Sequence, residues 1–144
     1  MDLRKRMLPF ITGALAAAAL AGCQVAVEPL PVSPPVTAPA ETGTVTIRWL
    51  VAGRTDVALC NGYGASHLEL VIYDVNGSTV ARQYAPCGSF TTTLALPAGS
   101  YTADVTLVGP SNEAISVTKP LAAVDVVAGT DLAISVDFPS SSML

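Results

Sequence analysis

From Thr44 onward, apolar and polar residues alternate with a period of two, and β-branched residues are abundant. In Thr44-Val45-Thr46-Ile47-Arg48-Trp49-Leu50-Val51, the side chains of Val45, Ile47, Trp49 and Val51 share one face and those of Thr44, Thr46 and Arg48 the other. That is the pattern of a half-buried strand. Gly53 to Ser66 has no such period, is rich in glycine and reads as an irregular loop. His67 to Asp74 predicts a second strand with Leu68, Leu70 and Ile72 inward, and Asn76-Gly77 then suits the positive φ angles of a tight hairpin. Thr79 to Tyr84 returns as a third strand and Phe90 to Leu96 is the fourth, with Phe90, Leu94 and Leu96 on one side. After the turn Pro97-Ala98-Gly99, Tyr101 to Val108 alternates most clearly, with Tyr101, Ala103, Val105 and Leu107 inward. Ala114–Thr118 and Leu121–Val127 flank Lys119-Pro120, which predicts one edge strand broken by a bulge or bend, since proline cannot donate to a ladder. Ala128 to Asp131 turns the chain again, Leu132, Ile134, Val136 and Phe138 form the last inward row, and residues 139–144 are expected to fray. Seven or eight short strands at roughly ten-residue spacing, with no helical period after Cys23, predict an all-β sandwich over residues 44–138.

The first 43 residues follow other rules. Arg4, Lys5 and Arg6 precede Met7 to Gly22, a run without charge that includes Ala14-Leu15-Ala16-Ala17-Ala18-Ala19-Leu20. It falls short of the ~20 residues a helix needs to cross a bilayer. A basic flank, a short apolar core and small residues at its end predict a secretory signal helix over residues 1–22. Residues 23–43 then hold Pro29, Pro31, Pro34, Pro35 and Pro39. Proline fixes φ and removes donors, so this stretch reads as a disordered, extended linker at about 3.1 Å per residue. It would hold the following domain up to ~60 Å from the point of attachment.

Leu20-Ala21-Gly22-Cys23 resembles the lipobox of bacterial lipoproteins at all four positions. The resemblance implies cleavage before Cys23, a diacylglyceryl group on its thiol and a protein attached to the lipid bilayer through acylated Cys23. Residue 24 is Gln rather than the Asp that tends to hold such proteins at the inner membrane. The implied location is therefore the bacterial cell envelope, with the outer membrane favoured. A second resemblance lies in Leu96-Pro97-Ala98-Gly99-Ser100-Tyr101, which is similar to the Leu-Pro-x-Gly-x-Tyr hairpin of transthyretin-like, carboxypeptidase-regulatory-like and related Ig-like bacterial domains. It implies a single Ig-like or transthyretin-like sandwich of about seven antiparallel strands, and says nothing of function.

Removal of residues 1–22 leaves about 120 residues, one domain rather than two. The whole chain of 144 residues carries a formal net charge of −4, and the segment removed takes Arg4, Lys5 and Arg6 with only one acid, Asp2. The remainder is more acidic still. Arg48, Arg54, Arg82 and Lys119 are scattered, so nucleic acid is excluded as a partner. With Cys23 taken by lipid, Cys60 and Cys87 are an even pair, and in an oxidising compartment the simplest state of such a pair is a disulfide.

No constellation of catalytic, cofactor or metal-binding residues emerges. Ser66 and His67 are neighbours, and on a strand neighbours point to opposite faces. Asp74-Val75-Asn76-Gly77 resembles the start of a calcium loop but lacks the closing glutamate twelve residues on. Asp125, Asp131 and Asp137 are placed to gather near a C-terminal hairpin. The Gly53–Ser66 loop, pinned by Cys60, presents Asn61 and Tyr63 as a possible contact surface. The leading expectation is a non-catalytic binding or structural module with a protein or glycan partner and no cofactor. The alternatives are a small hydrolase or metal-dependent enzyme using His67, and a small-ligand carrier with a cavity in the sandwich.

Overall fold

The computed structural model describes residues 38–144. The signal segment, Cys23 and residues 24–37 of the predicted linker lie outside the described residues. Seven strands form two sheets: β1 (Thr42–Val51), β2 (His67–Tyr73), β3 (Thr79–Pro86), β4 (Thr91–Pro97), β5 (Gly99–Val108), β6 (Lys119–Val126) and β7 (Asp131–Phe138). One sheet has the order β4-β1-β7 and the other β3-β2-β5-β6. The all-β class is therefore correct, and β1 begins at Thr42, inside the stretch predicted as linker.

The period-two pattern works because the two sheets face each other across one apolar layer. Val45, Ile47, Trp49 and Val51 of β1 are all at most 1 % exposed, as are Leu68, Leu70 and Ile72 of β2 and Val105 and Leu107 of β5. Val136 and Phe138 of β7 and Val124 and Val126 of β6 complete the same cluster. Burying each such side chain is worth about 1.5–3 kcal/mol. The exposed Arg82–Glu69 ion pair on the surface is worth at most about 1 kcal/mol. The core therefore decides the fold.

Several expectations need correction. β1 and β7 pair in parallel, Thr44 opposite Asp131 through Val51 opposite Phe138, so the strands are not all antiparallel. Alternation of side chains is blind to strand direction, which is set by how often the chain changes sheet. Here it changes sheet after β1, β3, β4 and β6, and only β2–β3 and β5–β6 are antiparallel partners joined within one sheet. Consequently Pro97-Ala98-Gly99 is an arch between sheets rather than a hairpin, and Ala128–Asp131 likewise links two sheets. At Asn76-Gly77 only Gly77 has positive φ, and Asp74 closes the turn by exchanging backbone bonds with Gly77 and Ser78. Phe90 does not begin β4. It stands before the strand at φ 54°, ending the short 3-10 turn Cys87–Ser89.

The stretch read as a loop contains a helix, α1 (Val57–Tyr63). Asp56 caps it by accepting from the Ala58 N–H at 2.9 Å, and Gly64 ends it at φ 76°, where its N–H donates to the Asn61 and Cys60 carbonyls. Nor does the C-terminus fray. Ser140–Ser142 forms a 3-10 turn, Ser142 is 6 % exposed, and the Leu144 and Val117 N–H groups donate to the Ile115 and Ser142 carbonyls, both at 2.9 Å. Residues 114–117 run beside β5, where the Ile115 and Ser116 N–H groups donate to the Leu107 carbonyl, and the tail supplies partners for the Ile115 carbonyl and the Val117 N–H. β6 is an edge strand with a bulge, as expected, but Lys119 and Pro120 begin it in register with Val105 and Asp104, the bulge lies opposite Tyr101–Ala103, and residues 114–118, expected as its first half, form isolated bridges only. Among the described residues no helix is long and apolar enough to cross a membrane.

Candidate functional site

The end of the sandwich where α1 lies is tied down by a disulfide and by side-chain hydrogen bonds. Cys60, buried on α1, is bonded to Cys87 at the start of the 3-10 turn, with the Cα atoms 6.0 Å apart. The Trp49 indole N–H donates to the Cys87 carbonyl at 2.9 Å and its ring tilts against Phe90. The disulfide expected from the cysteine count is present and belongs to the core. Asn61 is exposed on the outer side of α1. Tyr63 is half-buried against the core, and its phenol donates to Ser140 Oγ at 3.1 Å. Its hydroxyl therefore ties the C-terminal segment to α1.

The other sequence candidates are scattered. His67 opens β2 opposite Pro86 and Val108, and its ring makes no hydrogen bond among the described residues. The Asp74 carboxylate is taken up by its own turn, accepting from the Asn76 and Ser78 N–H groups at 2.8 and 2.9 Å. Asp125 accepts from Ser100, Asp131 from Thr44 and Thr46, and Asp137 from the Gly53 N–H. Three carboxylates placed together by sequence thus face three different neighbours. Among the described residues no group of three His, Cys, Asp or Glu could hold a metal ion.

Asp131 carries a consequence for pH. The hydroxyls of Thr44, at 2.7 Å, and Thr46, at 2.8 Å, donate to one carboxylate oxygen and hold its pKa below the ordinary value. A carboxyl group with a lowered pKa in the folded state adds stability above its unfolded pKa and loses it as pH falls through the folded value. The difference in melting temperature between the protein and an Asp131→Asn variant should therefore be full at neutral pH and shrink in strongly acid solution. A difference that grows on acidification would contradict this.

Sequence reasoning missed the outer face of the four-stranded sheet. There the Glu69 carboxylate receives Arg82 Nη1 at 2.7 Å and the Tyr84 hydroxyl at 2.9 Å, on the same oxygen. One row further, the Tyr73 hydroxyl donates to Asp104 at 3.2 Å. Burial of the phenol, followed by the charge of Asp104 and the bond to it, raises the Tyr73 pKa. The only signal in the sequence was the outward parity of Glu69, Val71 and Tyr73, which becomes informative once the neighbouring strands are known. Two recesses also open on the surface. One of about 370 Å³ lies between the β2–β3 turn and the bulge of β6, lined by Val75, Tyr101 and Ala122 among others. A second of about 230 Å³ lies beside Arg48, Leu50 and Phe90.

No protein-family model matches the chain, and no curated protein matches it. Among solved structures it is similar to part of a leucine-rich repeat protein from Bacteroides thetaiotaomicron, at 18 % identity and a TM-score of 0.47, over 70 % of this chain and 12 % of that one. It is also similar to part of the Bacillus anthracis TIE protein, at 17 % identity and a TM-score of 0.48, over 68 % of this chain and 16 % of that one. The chain spans less than a fifth of the length of either protein.

Proposed function

We propose that this chain is a lipoprotein of the bacterial cell envelope, held by acyl chains on Cys23, whose domain is a non-catalytic binding module. The observation that carries the reading is Leu20-Ala21-Gly22-Cys23 at the end of an uncharged run preceded by Arg4-Lys5-Arg6. Each buried CH₂ of an acyl chain contributes about 0.8 kcal/mol, and two or more chains hold a protein stably where one does so marginally. Gln24 favours the outer membrane within this reading. An Ig-like or transthyretin-like layout is supported by the two facing sheets, the buried Trp49 bonded to the disulfide loop, and the Tyr101 phenol folded back to the Pro97 carbonyl at 2.9 Å.

The binding-module reading is supported by a closed scaffold. Val45, Ile47, Leu70 and Val105 fill the interior, which supports a surface partner over a ligand carried inside the sandwich. No observation favours a hydrolase built on His67. Intact mass of the protein extracted from membranes tests the anchor. Loss of residues 1–22 with added acyl mass is the expected result, and an unmodified chain starting at Met1 would refute the reading.

A further inference from the structure

We propose that the recess beside Arg48, on the three-stranded sheet, binds the C-terminal residue of a partner polypeptide that ends in an apolar side chain. The inference deepens the binding-module reading above and rests on it.

The recess exists because β4 stops short. β1 pairs with β4 only as far as Arg48 opposite Thr91, whereas its pairing with β7 continues to Val51 opposite Phe138. Leu50 therefore has a paired strand on one side only. On the other side the chain turns at Phe90, whose backbone stands at φ 54°, in the left-handed region that a residue with a side chain rarely takes. The Trp49 N–H holds that turn by donating to the Phe90 carbonyl at 3.2 Å, and the two rings lie 6.3 Å apart. The 3-10 turn that Phe90 ends begins at the disulfide-bonded Cys87, so this wall is fixed before any partner arrives. A hollow of about 230 Å³ is left, lined by the apolar residues Trp49, Leu50 and Phe90 and by the polar residues Arg48, Thr55 and Ser135. Leu50 is half-buried yet takes no part in the core cluster.

The polar residues define the ligand. Among the described residues Arg48 forms no ion pair, and the side chains of Arg48, Thr55 and Ser135 make no hydrogen bond. The acids on β7 are engaged elsewhere, Asp131 by Thr44 and Thr46 and Asp137 by the Gly53 N–H. One free guanidinium matches one carboxylate, which it can grip through two parallel hydrogen bonds. A phosphate would bring a second charge to a chain whose formal net charge is −4, and no second cation lines the recess to meet it. The hollow is smaller than the ~300–1,000 Å³ of most small-molecule pockets and suits a single apolar side chain. Carboxylate and apolar group must then sit on one residue, and that is the last residue of a chain. An internal Asp or Glu brings the charge without the apolar group. The two hydroxyls can pair with the N–H and C=O of the last peptide unit, groups that a free apolar acid lacks.

The test is a titration of the full chain, in a non-ionic detergent, with N-acetyl-Ala-Ala-Leu and with the same peptide closed as its C-terminal amide. Emission of Trp49, the one tryptophan of the chain, and calorimetry both read it. The acid should bind with a Kd on the order of 1 mM or tighter, and the amide about tenfold or more weakly. Arg48→Gln should weaken the acid about tenfold and leave acid and amide alike. Arg54→Gln changes a charge outside the recess and should alter the affinity by less than about twofold. Ser135→Phe, at an exposed strand position that accepts an aromatic, should fill the hollow and remove binding with Arg48 intact. No binding up to about 20 mM peptide, equal affinity for acid and amide, or equal losses from Arg48→Gln and Arg54→Gln would overturn the site. 4-Methylpentanoate carries the same apolar group and carboxylate without a peptide unit and should bind more weakly than the peptide. Equal affinity would overturn the polypeptide partner in favour of a free acid. Melting curves of the variants confirm that they fold. Acyl mass on Cys23 in a protein that binds no peptide would refute the site alone, whereas peptide binding by a protein without acyl mass would refute the anchor alone.

Discussion

Replacing Cys60 and Cys87 together by alanine should lower stability by about 3.5 kcal/mol, the chain-entropy value for a loop of this size. For a domain of about 100 residues that is a fall of roughly 15–25 °C in melting temperature. The local architecture explains why nothing else replaces the link. α1 has seven residues, too few to persist in water without tertiary support. Cys60 is its only fully buried residue, while Leu59 and Tyr63 pack at the margin of the core. With the bond gone, α1 and the 3-10 turn are held mainly by those partial contacts, by the Trp49 indole bond to Cys87 and by the Tyr63–Ser140 contact. The same loss should appear on adding reductant to the native protein. Melting within about 3 °C of the oxidised protein in both cases would show that the disulfide contributes little.

Gly43→Val should be comparably damaging although no side chain is removed. A Cβ at this buried position in β1 would collide with the Val127 carbonyl oxygen, and would sit 2.9 Å from Val126 Cγ1 and 3.1 Å from the Thr130 carbonyl oxygen. Two of these atoms are backbone, so no rotamer change relieves the contact. The turn from β6 to β7 is laid directly on Gly43 and fastened on both sides, by the Thr44 N–H to the Thr130 carbonyl and the Gly129 N–H to the Thr42 carbonyl, each 2.9 Å. Making room means moving the turn and breaking those bonds. Overpacking and lost hydrogen bonds together put the penalty at about 2–4 kcal/mol. Gly62→Ala is the control. It lies within α1 with nothing within 4 Å of the new carbon, and should be neutral or stabilising by up to about 1 kcal/mol. Urea unfolding with an unchanged m-value reads both. A Gly43→Val midpoint equal to that of the native protein would contradict the packing described.

These two sites also show which parts of the molecule could be read in advance. The inward rows of β1, β2 and β5 were legible because a sheet facing a core imposes period two directly on side-chain chemistry. Cys60 and Cys87 were legible by counting. What escaped is what depends on neighbours distant in sequence. Gly43 looked like the end of a linker because the turn that rests on it lies more than 80 residues later. The parallel pairing of β7 leaves no trace in its alternation. α1 was hidden because its stretch is rich in glycine and short, although Asp56 and Gly64 stood in capping positions on either side of its seven residues. The tail from Pro139 looked free because its partners are backbone groups, which carry no residue code. For the same reason Tyr63 was placed at a loop tip, and Tyr73 and Tyr84, separated in sequence, were not connected until β2 lay between β3 and β5.

The claim on which the rest turns is that Cys23 is acylated, and metabolic labelling tests it most directly. Cells expressing the chain are grown with an alkyne-tagged palmitate, and the protein is captured and probed for the tag. The account requires label on the native chain and none on a Cys23→Ser variant. A native chain without label, or a variant that keeps it, would contradict the account.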